Sequence, residues 1–175
     1  MAKVLACRVL APELDSLGGE IEVDYFEPKC HRLSSKGFVE YVRSRIGGHD
    51  ALVCGDCGGL AEVAREAGLP IPEASDCIDL VVDNLQLEDD VIFITNGWLQ
   101  CLPQIFGLVR LDAAAREKVI PKLFSGINKV IYVRDPKLPD RQCEAAELAR
   151  MIGAEVEVTE GSTRRLAEYL DEVQP

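Results

Sequence analysis

No Gly-X-Gly-X-X-Gly fingerprint follows the first apolar segment, where Cys7, Arg8 and Val9 lead to Ala11 and Pro12, and no Walker loop occurs anywhere. Nucleotide binding therefore lacks its usual sequence support. A Gly-X-Ser-X-Gly elbow is missing as well, and of only two histidines His49 precedes a predicted strand instead of following one. A Ser-His-Asp hydrolase is left without its parts. Lys and Arg number 19 against 30 Asp and Glu, a formal net charge of -11 with no basic stripe, so no nucleic-acid partner is expected. The longer apolar runs are interrupted by Asp or Arg, and none approaches the ~20 residues of a membrane span. Met1 and Lys3 run directly into a strand pattern with no signal-like apolar region, which makes a soluble cytoplasmic protein without a membrane partner the expectation.

What is present is a chain of 175 residues, 47% hydrophobic, enough to bury a full core without covalent staples. Seven cysteines without an export signal point to a reducing compartment, where thiols serve as core residues, metal ligands or redox groups.

Val4–Leu10 reads as a first strand, with Pro12 opening a short helix that Gly18 and Gly19 end. Ile21–Phe26 alternates apolar and acidic residues, the period of a half-exposed strand near a sheet edge. Phe38, Tyr41, Val42 and Ile46 recur at helical spacing; Ala51–Cys54 is a third strand, and a helix follows through Leu60, Val63 and Ala64. Asp76 is placed to cap a short helix containing Cys77, Leu80 and Val81. Val91–Thr95, the most apolar run, predicts a central strand buried on both faces. Beyond two helical stretches, Lys129–Val133 and Glu155–Thr159 are strands, and Asp140–Ile152 and Ser162–Val173 helices, the last capped by Ser162. Alternation of this kind predicts an α/β fold: a doubly wound, mostly parallel sheet of about six strands in a three-layer sandwich. It forms a single domain over 1–175, with a helical insertion at 97–124.

In such a sheet ligands bind beyond the carboxyl ends of the strands. Cys7 ends the first strand, Cys30 and His31 follow the second, Cys54 and Cys57 flank the turn after the third, Cys77 lies in the next connection, and Asn96 follows the fourth. The run Cys54, Gly55, Asp56, Cys57, Gly58, Gly59 is the strongest local signal. Two thiols at this spacing can ligate a metal, form a redox pair or simply pack. The glycines permit a tight turn, and the helix mouth would lower thiolate pKa values. Cys30 and His31 cannot face the same way on an extended chain, and the imidazole is the preferred candidate. Cys101 and Cys143, in helices, are assigned to packing.

The order of Ala6, Cys7, Arg8, Val9 and Leu10 with Glu13, then His31, Arg32 and Leu33, then Cys54 to Gly59 and Cys77, resembles the family called domain of unknown function 1638. The resemblance implies a site using Cys7, Glu13, His31, Cys57 and Cys77. It also implies an anaerobic setting in the company of corrinoid methyl-transfer proteins, with a corrinoid or methyltransferase protein as partner. Cys30 and Cys54 depart from the family pattern and stand as additional thiols. Cys7, His31, Cys57 and Cys77 would complete a tetrahedral shell for zinc or an iron–sulfur cluster. The competing expectations are a corrinoid-linked methyl-transfer factor, and a thiol redox or plain interaction domain; the residues do not settle whether the protein is an enzyme.

Overall fold

The computed structural model describes residues 1–30, 32–82 and 88–174. Among them are six strands and seven α-helices in the order expected of an α/β chain. The strands are β1 (Ala2–Cys7), β2 (Ile21–Phe26), β3 (Ala51–Val53), β4 (Val91–Ile94), β5 (Lys129–Arg134) and β6 (Glu155–Glu160). All described pairings are parallel, as crossovers through helices require. Hydrogen bonding divides the strands between two three-stranded sheets, β2-β1-β3 and β4-β5-β6, instead of joining them in one.

That division corrects the reading of Val91–Thr95. β4 is an edge strand and only Ile94 on it is fully buried; its apolar residues Val91, Ile92 and Phe93 instead line a cavity. The central strand of the second sheet is β5, with Val130 and Tyr132 wholly inaccessible. β2 lies at an edge, in keeping with its alternating exposure.

The helices are α1 (Ala11–Leu17), α2 (Ser35–Arg43), α3 (Leu60–Ala67), α4 (Asn96–Ile105), α5 (Ala113–Leu123), α6 (Gln142–Ile152) and α7 (Arg164–Val173). β1 stops at Cys7, three residues before the expected end, because Arg8–Leu10 already coils as a 3₁₀ turn leading into Pro12 at the start of α1. Side-chain caps fix several starts: Thr95 Oγ1 accepts from the Trp98 amide and Asp112 Oδ1 from the Ala115 amide, satisfying donors that have no intrahelical partner. The stretch 97–124 does hold two helices, α4 and α5. At the last helix Ser162 Oγ accepts from the Arg164 amide, while the N-cap position itself is Thr163.

The two halves meet through close backbone packing and through α7. A β-carbon on Gly97 would stand 1.8 Å from the Val9 carbonyl oxygen, so only glycine lets α4 abut the turn after β1. From α7, the Tyr169 hydroxyl donates to the Leu52 carbonyl at 3.2 Å. Arg165 donates to the Asp79 carboxylate (3.0 Å) and carbonyl and to the Glu73 carbonyl (2.7 Å). No helix among the described residues is long and apolar enough to cross a membrane.

Candidate functional site

Separate segments carry Cys7, Cys30, Cys54, Cys57 and Cys77 to the wall of one cavity. Cys7 ends β1, its side chain buried. The turn after β3 places Cys54 and Cys57, and Gly58 and Gly59 within it take φ of 70° and 92°, values that side-chain-bearing residues rarely adopt. Asp56 serves this turn as a helix cap: its Oδ1 accepts from the Ala61 amide at 2.8 Å and its own amide donates to the Ala74 carbonyl at 2.8 Å.

The Cys77 loop is built differently from the sequence expectation. No helix forms over Asp76–Val81; Asp76 Oδ1 accepts from the amides of Ile78 (2.8 Å) and Asp79 (3.0 Å), closing a local turn that substitutes for the first turn of a helix. Arg165 then clamps this loop from α7, a role that nothing in its spacing announces.

The thiols form a chain of contacts. Cys7, Cys30, Cys57 and Cys77 line one cavity, with Cys77 close enough to both Cys57 and Cys7, and Cys30 to Cys57, for each thiol to act on the next. Cys30 reaches this cluster because the backbone turns there, with the Arg32 and Leu33 amides both donating to the Lys29 carbonyl at 3.0 Å. The alternation of an extended chain does not govern it. His31 lies outside the described residues. Cys54 is buried beside the cluster and lines the same cavity, and no thiol hydrogen bond from it is seen among the described residues.

Thiol-to-thiol hydrogen bonding, then burial, raises the pKa of Cys30 and Cys77. Burial, then nearby negative charge, raises that of Cys54. For Cys54, therefore, desolvation outweighs the expected pull of the helix mouth. Without a cation these three groups stay protonated, the opposite of the depressed values that reactive redox and nucleophilic cysteines need. A bound metal would reverse the balance, since it deprotonates a coordinating thiol outright. The soft donors present fit zinc or an iron–sulfur cluster better than magnesium or calcium. Among the described residues no set of three or more His, Cys, Asp and Glu side chains is already arranged around one point to hold a metal ion. The sulfurs meet pairwise instead.

The cluster faces a cavity of about 230 Å³ whose remaining walls, Asp76 apart, are apolar among the described residues, with Phe26 and Phe38 from the first half and Phe93, Trp98 and Phe106 from the second. Helical spacing around Trp98 reads as ordinary core, so this wall gave no functional signal in sequence. Cys101 is buried, its thiol pushed up to about 12 by burial, and Cys143 is exposed on α6; neither lines the cavity.

Asn96 and Glu13 belong elsewhere. Buried Asn96 accepts from the Tyr132 hydroxyl (2.7 Å) and donates to the Pro139 carbonyl (2.8 Å), while the Tyr132 oxygen accepts from the Arg141 amide (2.9 Å). This is a structural brace. Tyr132→Phe leaves the Asn96 oxygen and the Arg141 amide without their partner and is expected to cost about 1–3 kcal/mol. Urea denaturation checks it; an unchanged midpoint would mean water takes over both bonds.

Glu13 is buried on α1 near Asp135, and Glu13 Oε2 and Asp135 Oδ2 have no hydrogen-bond partner among the described residues. Burial first, and Asp135 second, push its carboxyl up to about 7 from 4.5. The folded state thus keeps its proton longer than the unfolded chain, and stability is lost as pH rises from about 4.5 through about 7. The loss is on the order of 3 kcal/mol. Glu13→Gln should flatten this slope in urea titrations at about pH 5 and pH 8; an unaltered slope would assign the titration to another group.

No curated protein and no solved structure matches the chain. A family model does, over residues 43–170, a span that takes in Cys54, Cys57 and Cys77 and lies beyond Cys7 and Cys30. With most of its length so matched, and with the turn and the Cys77 loop inside the match, the chain belongs to the family described as protein of unknown function DUF1638.

Proposed function

We propose that the protein binds a metal ion or an iron–sulfur cluster through Cys7, Cys57 and Cys77, with Cys30 or His31 as the fourth donor. Cytoplasmic anaerobic metabolism is the setting this reading implies. The observation that carries it is the thiol contact chain from Cys7 through Cys77 and Cys57 to Cys30. Four thiols that meet pairwise along one cavity, drawn from separate loops, are more than packing requires. Raised thiol pKa values count against free-thiol redox chemistry, and a bound metal would deprotonate the thiols it coordinates.

A corrinoid is the weaker alternative. A cavity of about 230 Å³ falls below the ~300–1,000 Å³ typical of sites for drug-sized ligands, so such a macrocycle would approach the thiols from a partner protein and not sit inside this chain. Nucleic acid is not a partner in this reading, given the net charge of -11.

Protein purified without oxygen tests the proposal. Brown colour with iron and sulfide supports a cluster, and colourless protein with stoichiometric zinc a mononuclear site. Red-orange material favours the corrinoid alternative. Metal-free protein that takes up neither zinc nor iron on reconstitution defeats the proposal.

A further inference from the structure

The thiols occupy one side of their cavity, and a metal ion alone gives no reason for the other. Phe93 projects from β4, Trp98 and Ile105 from α4, and Phe106 follows it. Together with Phe26 and Phe38 these form a carbon-lined space of about 230 Å³. An engineered apolar cavity of about 150 Å³ stays dry and takes up benzene. This one is larger, and natural in origin.

Charge narrows what can enter. Asp76 is the one charged side chain lining the cavity among the described residues, and one of its oxygens is already engaged by the Ile78 and Asp79 amides. No Lys or Arg among those residues lines it, so a carboxylate or phosphate would be buried without a counter-charge, at large cost. An apolar molecule would exchange water for the aromatic faces, a favourable transfer.

We infer that the cavity binds an uncharged, apolar small molecule, up to about the size of one aromatic ring, against the Phe93, Trp98 and Phe106 wall with one end at the sulfurs of Cys7, Cys57 and Cys77. This names the ligand class of the proposed metal site and rests on that reading for the sulfur end. The apolar wall is independent of it.

Trp98 is the only tryptophan in the chain, so its fluorescence reports occupancy directly. Toluene, titrated into the full-length protein both metal-loaded and chelator-stripped, is expected to give a saturable change in Trp98 emission. Benzoate, of similar shape but anionic, should bind at least tenfold more weakly, having no cation to meet it among the described lining residues. Ile92→Phe, which fills the cavity from edge strand β4, should weaken toluene binding at least tenfold while leaving metal content and the urea midpoint unchanged. If that variant does not fold, the comparison of toluene with benzoate on the native protein still decides. No saturable response in either form, or equal affinity for toluene and benzoate, overturns the inference while leaving the metal reading intact. Selective toluene binding by a protein that takes up no metal would uphold the apolar site and defeat the metal reading.

Discussion

Cys57→Ser is expected to abolish metal binding in protein purified without oxygen, and Cys77→Ser to do the same, whereas Cys54→Ser should retain metal at close to one equivalent per wild-type site. The contact pattern sets this order. Cys57 interacts with the thiols of Cys30 and Cys77, and Cys77 with those of Cys57 and Cys7. Removing either therefore breaks the chain in the middle. Loss of a partner that only orients a ligand typically lowers affinity about 10–100-fold, so loss of a ligand itself should exceed that range. Cys54 is 1% exposed, and no thiol hydrogen bond from it is seen among the described residues. Its replacement buries a hydroxyl in an apolar site, a stability cost of about 1–3 kcal/mol. Metal per chain and the urea midpoint, measured on all three variants, separate the two effects. Equal metal loss in Cys54→Ser and Cys57→Ser would mean the two thiols chelate as a unit. Metal loss in Cys54→Ser alone would displace the site from the position argued above.

Much of this arrangement was legible in the residues, for identifiable reasons. The α/β class and the six parallel strands follow from periodicity, which local sequence carries. Strand partners are another matter. Val91–Thr95 reads as a two-sided core strand because a continuous apolar run looks the same whether it is packed between two layers or faces a cavity from an edge. Asp76 carried a true capping signal, but an Asx turn and a helix N-terminus use the same side-chain-to-amide bonds, and only tertiary packing by Arg165 and the turn at Gly55 decides between them. Cys7, Cys57 and Cys77 could be placed near one another from the rule that parallel strands gather their carboxyl ends. Cys30 could not, since its orientation depends on a backbone turn at Lys29. The aromatic wall around Trp98 was invisible because an apolar residue that lines a cavity and one that fills a core have the same spacing.

The largest structural effect is expected at Gly55, where sequence, fold and site coincide. A β-carbon built there would stand 2.1–2.4 Å from the backbone atoms of Asp76, far inside van der Waals contact and against main chain that cannot rotate away. The same approach is sealed by the Asp56 amide donating to the Ala74 carbonyl at 2.8 Å. It is this contact between two backbones that sets Cys57 beside Cys77. Gly55→Ala must therefore push apart the turn after β3 and the Cys77 loop, whose far side Arg165 already holds through Glu73 and Asp79. Ordinary overpacking costs about 1–3 kcal/mol because side chains give way; with backbone on both sides the expected loss is on the order of 3–5 kcal/mol, among the larger single-residue effects. Urea denaturation and metal content should fall together, because the displaced loop takes Cys77 with it. Gly153→Ala is the control: nothing lies within 4 Å of a β-carbon there, but φ is +76°, so the strain of a left-handed C-cap, about 1 kcal/mol, is its whole cost. If Gly55→Ala proves no worse than Gly153→Ala and keeps its metal, the two loops do not meet as closely as the thiol cluster requires.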